Sequence, residues 1–136
     1  LAGEPIDVYG HGQLVRDFTY IDDIVHGVLR VLDKPATPNP AFDPLAPDPG
    51  SSRAPYRIFN IGNSAPTVLM DYIGALEASL GMTARKNLLP IQPGDVHSTA
   101  ADTSALQAWV GFAPSTPVAE GVARFVDWYR AFYEKR

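Results

Sequence analysis

Apolar residues recur along this chain with two different spacings, which predict two kinds of element. From Ile6 to Tyr9 apolar and polar residues alternate, which is typical of a short strand. Gly10 to Gly12 then predicts a turn, and residues 15–20 predict a returning segment. From Ile24 to Leu32 the apolar residues recur every three or four positions, so a helix is expected to follow and to end near Asp33.

The second half of the chain shows the same alternation of strand and helix patterns. Residues 57–61 predict a strand, and the apolar stripe from Val68 to Leu80 predicts a helix that Gly81 ends. The remaining predicted elements are an extended segment, a short helix and a long final helix (84–91, 102–109 and 117–133). The aromatic stripe of the final helix is expected to form core or a domain interface.

Polar residues before each helix are candidates for its N-cap. Asp22 or Asp23 can cap the first helix. Thr67 can cap the second, and Ser64 with Pro66 would serve as well. We therefore expect side-chain caps at both helix starts.

Residues 34–55 separate the two halves and contain seven of the thirteen prolines. Proline removes a hydrogen-bond donor and fixes φ, so neither a regular helix nor a central strand can run through this segment. Loops of this length are usually functional lids or mobile surface segments. We expect a surface loop without chemistry of its own.

Composition and charge narrow the class of protein. With 136 residues, 46% hydrophobic and 19% charged, the chain fits one soluble domain. Its net charge of -4 gives no reason to expect nucleic acid or an anionic membrane as partner. The sequence has no cysteine, no apolar run that would span a membrane and no signal-peptide pattern, so a cytoplasmic protein is expected.

Two short motifs carry candidate ligand chemistry. Arg16 follows a glycine-rich turn, and its planar fork of donors suits phosphate or carboxylate. The alternative is a hairpin in which an exposed Arg16 only pairs with Asp17. In the turn that begins at Gln92, Pro and Gly present Asp95, whose carboxylate suits two ribose hydroxyls. The alternative there is an ordinary surface turn.

Other site patterns do not occur in this sequence. It contains no Gly-x-x-Gly-x-x-Gly or Gly-x-Gly-x-x-Gly, and no tyrosine is followed four residues later by lysine. Neither a Ser/His/Asp arrangement nor a metal-ligand cluster can be recognised. We therefore assign the chain no catalytic residue, no metal site and no dinucleotide-binding site.

Four segments together resemble one protein family. They are the run from Arg16 to Val25, residues 56–63, residues 92–96 and residues 117–129. In this order they resemble the C-terminal part of extended short-chain dehydrogenase/reductases acting on nucleotide sugars, in the NAD-dependent epimerase/dehydratase family. Within it the resemblance is greatest to the UDP-glucuronate 4-epimerases.

The resemblance implies an α/β fold over residues 1–136: a small substrate-binding domain plus a strand and helix of a Rossmann sheet. It also implies site residues. Arg16 would bind the nucleotide diphosphate, Asp95 the ribose, and the strand with Asp7 and Tyr9 the uracil. Gln92 stands where related epimerases carry a second phosphate-binding arginine, so Arg57, Arg85 or a residue outside the chain would have to replace it.

Activity, cofactor and partners are likewise implied by the resemblance. The expected reaction interconverts UDP-glucuronate and UDP-galacturonate through a 4-keto intermediate, in polysaccharide biosynthesis. NAD would be bound by an N-terminal Rossmann domain outside this chain, so the segment alone would be inactive and the full-length enzyme a homodimer. Residues 1–3 read as the end of a helix, which suggests a longer protein.

Two alternatives to this reaction remain. One is the same part of a nucleotide-sugar 4,6-dehydratase or reductase, because the residues that separate these reactions would lie upstream. The other is a non-catalytic module that binds a nucleotide sugar or serves in assembly.

Overall fold

The described part of the chain folds into four short strands and four helices. The computed structural model describes residues 1–133. In chain order the elements are β1 (Ile6–Val8), β2 (Val15–Arg16), α1 (Ile21–Asp33), β3 (Thr67–Val68), α2 (Leu69–Leu80), β4 (Lys86–Leu88), α3 (Ser104–Val110) and α4 (Val118–Tyr133). The predicted α/β class is therefore confirmed.

The strands form two separate pairs that connect distant parts of the chain. β1 pairs with β4 in parallel, with Ile6 opposite Lys86. β2 pairs with β3 in antiparallel fashion, with Arg16 opposite Thr67. The expected return of residues 15–20 alongside β1 is wrong, because β2 belongs to the other pair.

The turn between β1 and β2 explains this change of direction. Tyr9–Gly12 form a 3₁₀ turn in which three consecutive residues have positive φ, 58° at Gly10, 51° at His11 and 78° at Gly12. A Cβ at Gly12 would lie 2.4 Å from a side-chain carbon of Met70. Glycine is therefore required there for conformation and for space, and the predicted glycine turn is confirmed.

The buried apolar residues come from β1, from the residue before β2, and from the helices α2, α3 and α4. They are Val8, Leu14, Ile73, Leu106, Val122 and Val126. α2 packs along α4, and α1 packs against α3. Only one side of α4 is buried, since Phe125 and Trp128 stay exposed. The aromatic stripe therefore contributes to the core only in part.

Helix ends follow the sequence, and so do the starts of α3 and α4, but the predicted side-chain caps of α1 and α2 do not form. α1 ends at Asp33, and α2 ends before Gly81, whose φ is 67°. The expected caps are wrong: Tyr20 and Val68 occupy the two N-cap positions, and neither makes a side-chain capping bond. Asp22 and Asp23 lie inside the first turn of α1, where a carboxylate still interacts favourably with the helix dipole.

Two predicted segments do not form regular structure. Residues 57–61 make a single bridge, between Arg57 and Ser51, instead of a strand. A strand needs a ladder partner, and no strand of the described residues adjoins this segment. Residues 1–5 form no helical turn, although Gly3 has the expected left-handed φ of 76°.

The proline-rich segment 34–55 is a loop, as predicted. Asp48 organises its second half, accepting the Gly50 N–H at 2.8 Å and the Ser51 hydroxyl at 2.8 Å. The Asn39 side chain donates to the Ser51 hydroxyl at 3.0 Å, so the two limbs of the loop are joined. From Leu1 to Tyr133, no helix has both the length and the apolar character of a membrane span.

Candidate functional site

The two residues with the strongest predicted ligand chemistry, Arg16 and Asp95, form an ion pair. Arg16 Nη2 donates to Asp95 Oδ1 at 2.6 Å, and the side chains are 26% and 33% exposed. Nη1 of the same guanidinium donates to the Val15 carbonyl at 2.8 Å and lies 3.4 Å from the His97 carbonyl. Arg16 is therefore held by its own strand and by the Asp95 loop, while both groups stay accessible to a ligand.

Main-chain pairing brings these distant residues together. Val15 N–H donates to the His97 carbonyl at 2.9 Å, and Thr99 N–H donates to the Val15 carbonyl at 3.2 Å. Arg16 faces Thr67 of β3 on the opposite side. The strand that carries Arg16 thus lies between β3 and the segment that follows Asp95. The alternative of an Arg16–Asp17 pair is wrong, because the partner is Asp95.

Asp95 lies at the end of a tight turn. Its N–H donates to the Gln92 carbonyl at 3.1 Å, and Gly94 in the turn has a φ of 86°. Asp95 Oδ1 also accepts the Val96 N–H at 2.8 Å, which fixes the carboxylate at the edge of the turn. The side chain of Gln92 is exposed on the same turn. The turn therefore presents one charged acceptor and one neutral amide.

Asp7 and Tyr9 lie farther along the same pair of segments. Asp7 Oδ1 accepts a hydrogen bond from Asn87 Nδ2 at 2.9 Å, across the β1–β4 pair. Tyr9 is half-buried where the 3₁₀ turn begins. Among the described residues β1 has a neighbouring strand on one side only, so its other edge presents main-chain polar groups.

The two segments continue side by side from this pair toward Arg16. Leu89 N–H donates to the Val8 carbonyl at 3.0 Å, and His11 N–H donates to the Leu89 carbonyl at 2.9 Å. Residues 6–16 and 85–99 therefore form one framework, with Asp7 near one end and the Arg16–Asp95 pair near the other.

The candidates for a second arginine have other contacts. The Arg57 guanidinium lies over the Trp109 ring, 4.6 Å from its centroid. Arg85 is exposed at the start of β4, where its carbonyl accepts the Ile6 N–H at 2.8 Å. The described residues therefore place no second arginine in contact with Asp95.

Two carboxylates near Arg16 have roles that the sequence did not predict. Asp17 accepts the N–H groups of Ser64 at 3.1 Å and Ala65 at 3.3 Å. Asp23, which is 9% exposed, accepts the N–H groups of Thr116 at 2.9 Å and Ser115 at 3.2 Å through Oδ2. Both link the Arg16 motif to distant loops, and no local sequence signal would have identified them.

Its hydrogen bonds distinguish Asp23 from an ordinary surface carboxylate. Burial by itself raises the pKa of Asp23, but hydrogen bonds from the Thr116 N–H, the Thr116 hydroxyl and the Ser115 N–H lower it more. The net pKa of Asp23 lies below its ordinary value of 3.8. Asp23 is therefore a charged structural acceptor at neutral pH.

An apolar cavity of about 220 Å³ lies next to this motif, between the start of α1 and the helices α2 and α4. Phe18 stacks on Tyr72 in its wall, with 4.0 Å between ring centroids. None of the five predicted site residues lines it. Among residues 1–133 no group of three or more His, Cys, Asp or Glu side chains is arranged to hold a metal ion.

Comparison with known proteins shows which proteins this chain is similar to. Residues 1–62 match the sequence profile of the NAD dependent epimerase/dehydratase family. Protein CapI from Staphylococcus aureus is 49% identical over 132 residues, which are 97% of this chain and 40% of that protein. A probable UDP-glucuronate 4-epimerase from Rhizobium meliloti is 44% identical over 134 residues, 98% of this chain and 39% of that protein.

Solved structures show the same fold. The UDP-glucuronic acid 4-epimerase from Bacillus cereus, solved in complex with UDP-glucuronic acid and NAD, superposes with a TM-score of 0.73 at 26% identity. That superposition covers 96% of this chain and 36% of the epimerase chain. This chain spans about 40% of the length of the curated relatives cited above. Residues 1–62 thus match the NAD dependent epimerase/dehydratase family, and the chain has the α/β fold of a segment of an extended short-chain dehydrogenase/reductase.

Proposed function

We propose that this chain is the nucleotide-sugar-binding part of a UDP-glucuronate 4-epimerase. This isomerase interconverts UDP-glucuronate and UDP-galacturonate through a 4-keto intermediate. The observation that carries the proposal is the Arg16–Asp95 pair, in which a guanidinium suited to phosphate lies 2.6 Å from a carboxylate suited to ribose hydroxyls. The likeness to UDP-glucuronate 4-epimerases supports it.

Arg16 would bind the diphosphate. A guanidinium offers five N–H donors in a plane, and Asp95 and two carbonyls account for the contacts of only its two terminal nitrogens. The chain has a net charge of -4, so attraction for a diphosphate must come from such a local cation. A phosphate oxygen would either join Asp95 on the guanidinium or replace it.

Asp95 and β1 would bind the nucleoside. Asp95 is fixed by its turn at the edge of the framework, where its second oxygen can accept ribose hydroxyls. The open edge of β1, beside Asp7 and Tyr9, can bind the uracil through main-chain groups. Gln92 can donate a neutral hydrogen bond to phosphate, but it adds no charge.

NAD does not fit this chain. Its sequence has neither a glycine-rich phosphate turn nor the Tyr-x-x-x-Lys pair. We assign NAD to an N-terminal Rossmann domain of the full-length enzyme, so the segment alone is expected to be inactive. We also expect the full-length protein to be a cytoplasmic homodimer.

An exposed apolar face on α1 supports the proposal that a separate Rossmann domain packs against this chain. Ile21 is 61% exposed, Val28 59% and Leu32 70%. Faces of this kind mark contact surfaces. We propose that the Rossmann domain covers this face and supplies the ladder partner that residues 57–61 lack.

The test uses the complete gene product. Purified protein is incubated with UDP-glucuronate and NAD, and the product is identified by NMR. UDP-galacturonate supports the proposal, whereas a 4-keto-6-deoxy sugar or a reduced sugar would make it a dehydratase or a reductase. Binding of UDP without any turnover would favour a non-catalytic module.

The proposed diphosphate-binding clamp, formed by Arg16 and Asp95, is tested by calorimetric titration with UDP. Arg16→Ala removes charge-assisted bonds to phosphate, so the Kd should rise about tenfold or more. Arg53→Ala is the matched control, because Arg53 is an exposed arginine of the proline-rich loop. Equal Kd values for the two variants would remove Arg16 from the site.

A further inference from the structure

Asp17 follows Arg16 directly in the sequence, yet its carboxylate takes part in a different set of contacts. Oδ2 accepts the Ser64 N–H at 3.1 Å, and Oδ1 accepts the Ala65 N–H at 3.3 Å. Each oxygen thus binds one main-chain donor of a loop that lies 47 and 48 residues away in sequence. A carboxylate is the side chain that can accept from both donors at once.

The loop that Asp17 binds has an unfavourable backbone conformation. Ser64 has a φ of 53°, in the left-handed region that residues other than glycine rarely adopt. The Ser64 hydroxyl lies 3.3 Å from the Ala101 carbonyl and 3.2 Å from the Thr103 hydroxyl. The hydrogen bonds of Ser64 therefore hold this turn between Asp17 and the segment that follows the Asp95 turn.

Close packing at Gly62 leaves little freedom for the carboxylate. A Cβ on Gly62 would lie 2.7 Å from Asp17 Oδ2 and 2.7 Å from the Ala101 Cβ. Gly62 is buried, and the Asp17 carboxylate and the Ala101 side chain both lie against the same face of its main chain. The Asp17 carboxylate thus lies close to Gly62 and Ala101, whose segments continue to the two neighbours of the Arg16 strand.

These contacts form a closed path that returns to Arg16. Asp17 binds residues 64 and 65, the chain then enters β3, and Thr67 of β3 pairs with Arg16. β2 and β3 are each only two residues long, so their pairing has few hydrogen bonds of its own. The carboxylate therefore fixes the start of β3 beside the residue that carries the guanidinium.

We propose that Asp17 is a positioning residue for recognition of a nucleotide diphosphate: by holding residues 64 and 65 it fixes the β2–β3 pairing that aims Arg16 at Asp95 and at the phosphates. This inference rests on the proposed function, because it takes Arg16 as the phosphate-binding group. Asp17 itself touches no ligand in this scheme. Its effect on affinity passes through Arg16 alone.

A double-mutant cycle tests this dependence. The Kd for UDP is measured by calorimetry on the complete gene product carrying Arg16→Ala, Asp17→Ala, both or neither. In the otherwise wild-type protein, Asp17→Ala should raise the Kd for UDP about tenfold. In the protein that already carries Arg16→Ala, it should raise the Kd less than about twofold. A general structural defect would raise the Kd by the same factor in both backgrounds and would overturn the proposal.

Two further variants serve as comparisons for the double-mutant cycle. Asp17→Asn keeps one acceptor oxygen, so it should raise the Kd by less than Asp17→Ala does. It also replaces Asp17→Ala in the cycle if that variant does not fold. Asp22→Ala is the control, because Asp22 is an exposed carboxylate of the same motif and should leave the Kd unchanged.

The outcomes separate the two proposals. If Arg16→Ala leaves the Kd for UDP unchanged, Arg16 does not bind the diphosphate. Both the proposed clamp and the positioning role of Asp17 are then overturned. If Arg16→Ala weakens binding but Asp17→Ala acts additively, the clamp stands and the positioning role of Asp17 is overturned.

Discussion

Removal of the Asp23 carboxylate should destabilise the protein through a contact between distant segments. Asp23 Oδ2 accepts the N–H groups of Thr116, at 2.9 Å, and Ser115, at 3.2 Å. Asp23→Ala leaves both donors without this acceptor, and an unsatisfied buried group costs about 1–3 kcal/mol. Ser115 is exposed and can bind water instead, whereas Thr116 is half-buried. We therefore expect a loss of about 2 kcal/mol in the free energy of unfolding.

A conservative variant isolates the charge from the hydrogen bonds. Both N–H groups bind the same oxygen, so the amide oxygen of Asp23→Asn can accept both. The charge is lost while both main-chain hydrogen bonds remain, and we expect a cost of about 1 kcal/mol at neutral pH. Asp22→Ala removes another first-turn carboxylate, which is exposed, and serves as the control for the helix dipole.

The pH dependence follows from the lowered pKa of Asp23. A carboxyl group whose folded pKa lies below its unfolded pKa contributes stability above the unfolded value, which for Asp23 is near 3.8. That contribution is lost as the pH falls through the folded pKa. The stability difference between wild type and Asp23→Asn should therefore be full above about pH 5 and should shrink below about pH 4.

Urea denaturation followed by tryptophan fluorescence measures these differences. It is run at neutral pH for all variants and over an acid series for wild type and Asp23→Asn. The reasoning is refuted if Asp23→Ala is no less stable than Asp22→Ala, or if the gap between wild type and Asp23→Asn is the same at both ends of the series.

Two further predictions concern packing and ribose recognition. Gly62→Ala should lower the thermal midpoint, because its Cβ would lie 2.7 Å from both Asp17 Oδ2 and Ala101 Cβ, whereas Gly74→Ala meets nothing within 4 Å and should be neutral or stabilising. Similar shifts for both variants in calorimetric melts would contradict this. Asp95→Ala should weaken binding of UDP more than binding of 2′-deoxy-UDP, and equal losses in parallel titrations would remove Asp95 from the ribose contact.

The helices could be predicted largely because their signals are local. The three- and four-residue spacing of apolar positions identified α1, and Gly81 and Gly111 mark helix ends with φ values of 67° and 65°. The predicted side-chain caps of α1 and α2 were wrong because polar side chains near these helix starts contact distant segments instead. Asp23 illustrates this, since its partners lie 92 and 93 residues away in sequence.

The strands and the site depend on contacts that no local pattern encodes. β2 and β3 are two residues each, too short to produce an alternation. Residues 57–61 have strand-like residues but lack a ladder partner among the described strands. Arg16 and Asp95 were each suggested by residue chemistry, but their contact across 79 residues became evident only in the fold.

A crystal structure of the complete gene product with UDP tests the central claim most directly. The account predicts the diphosphate within hydrogen-bond distance of the Arg16 guanidinium and a ribose hydroxyl on the Asp95 carboxylate. UDP bound elsewhere, with the Arg16–Asp95 pair still closed at 2.6 Å, would contradict it.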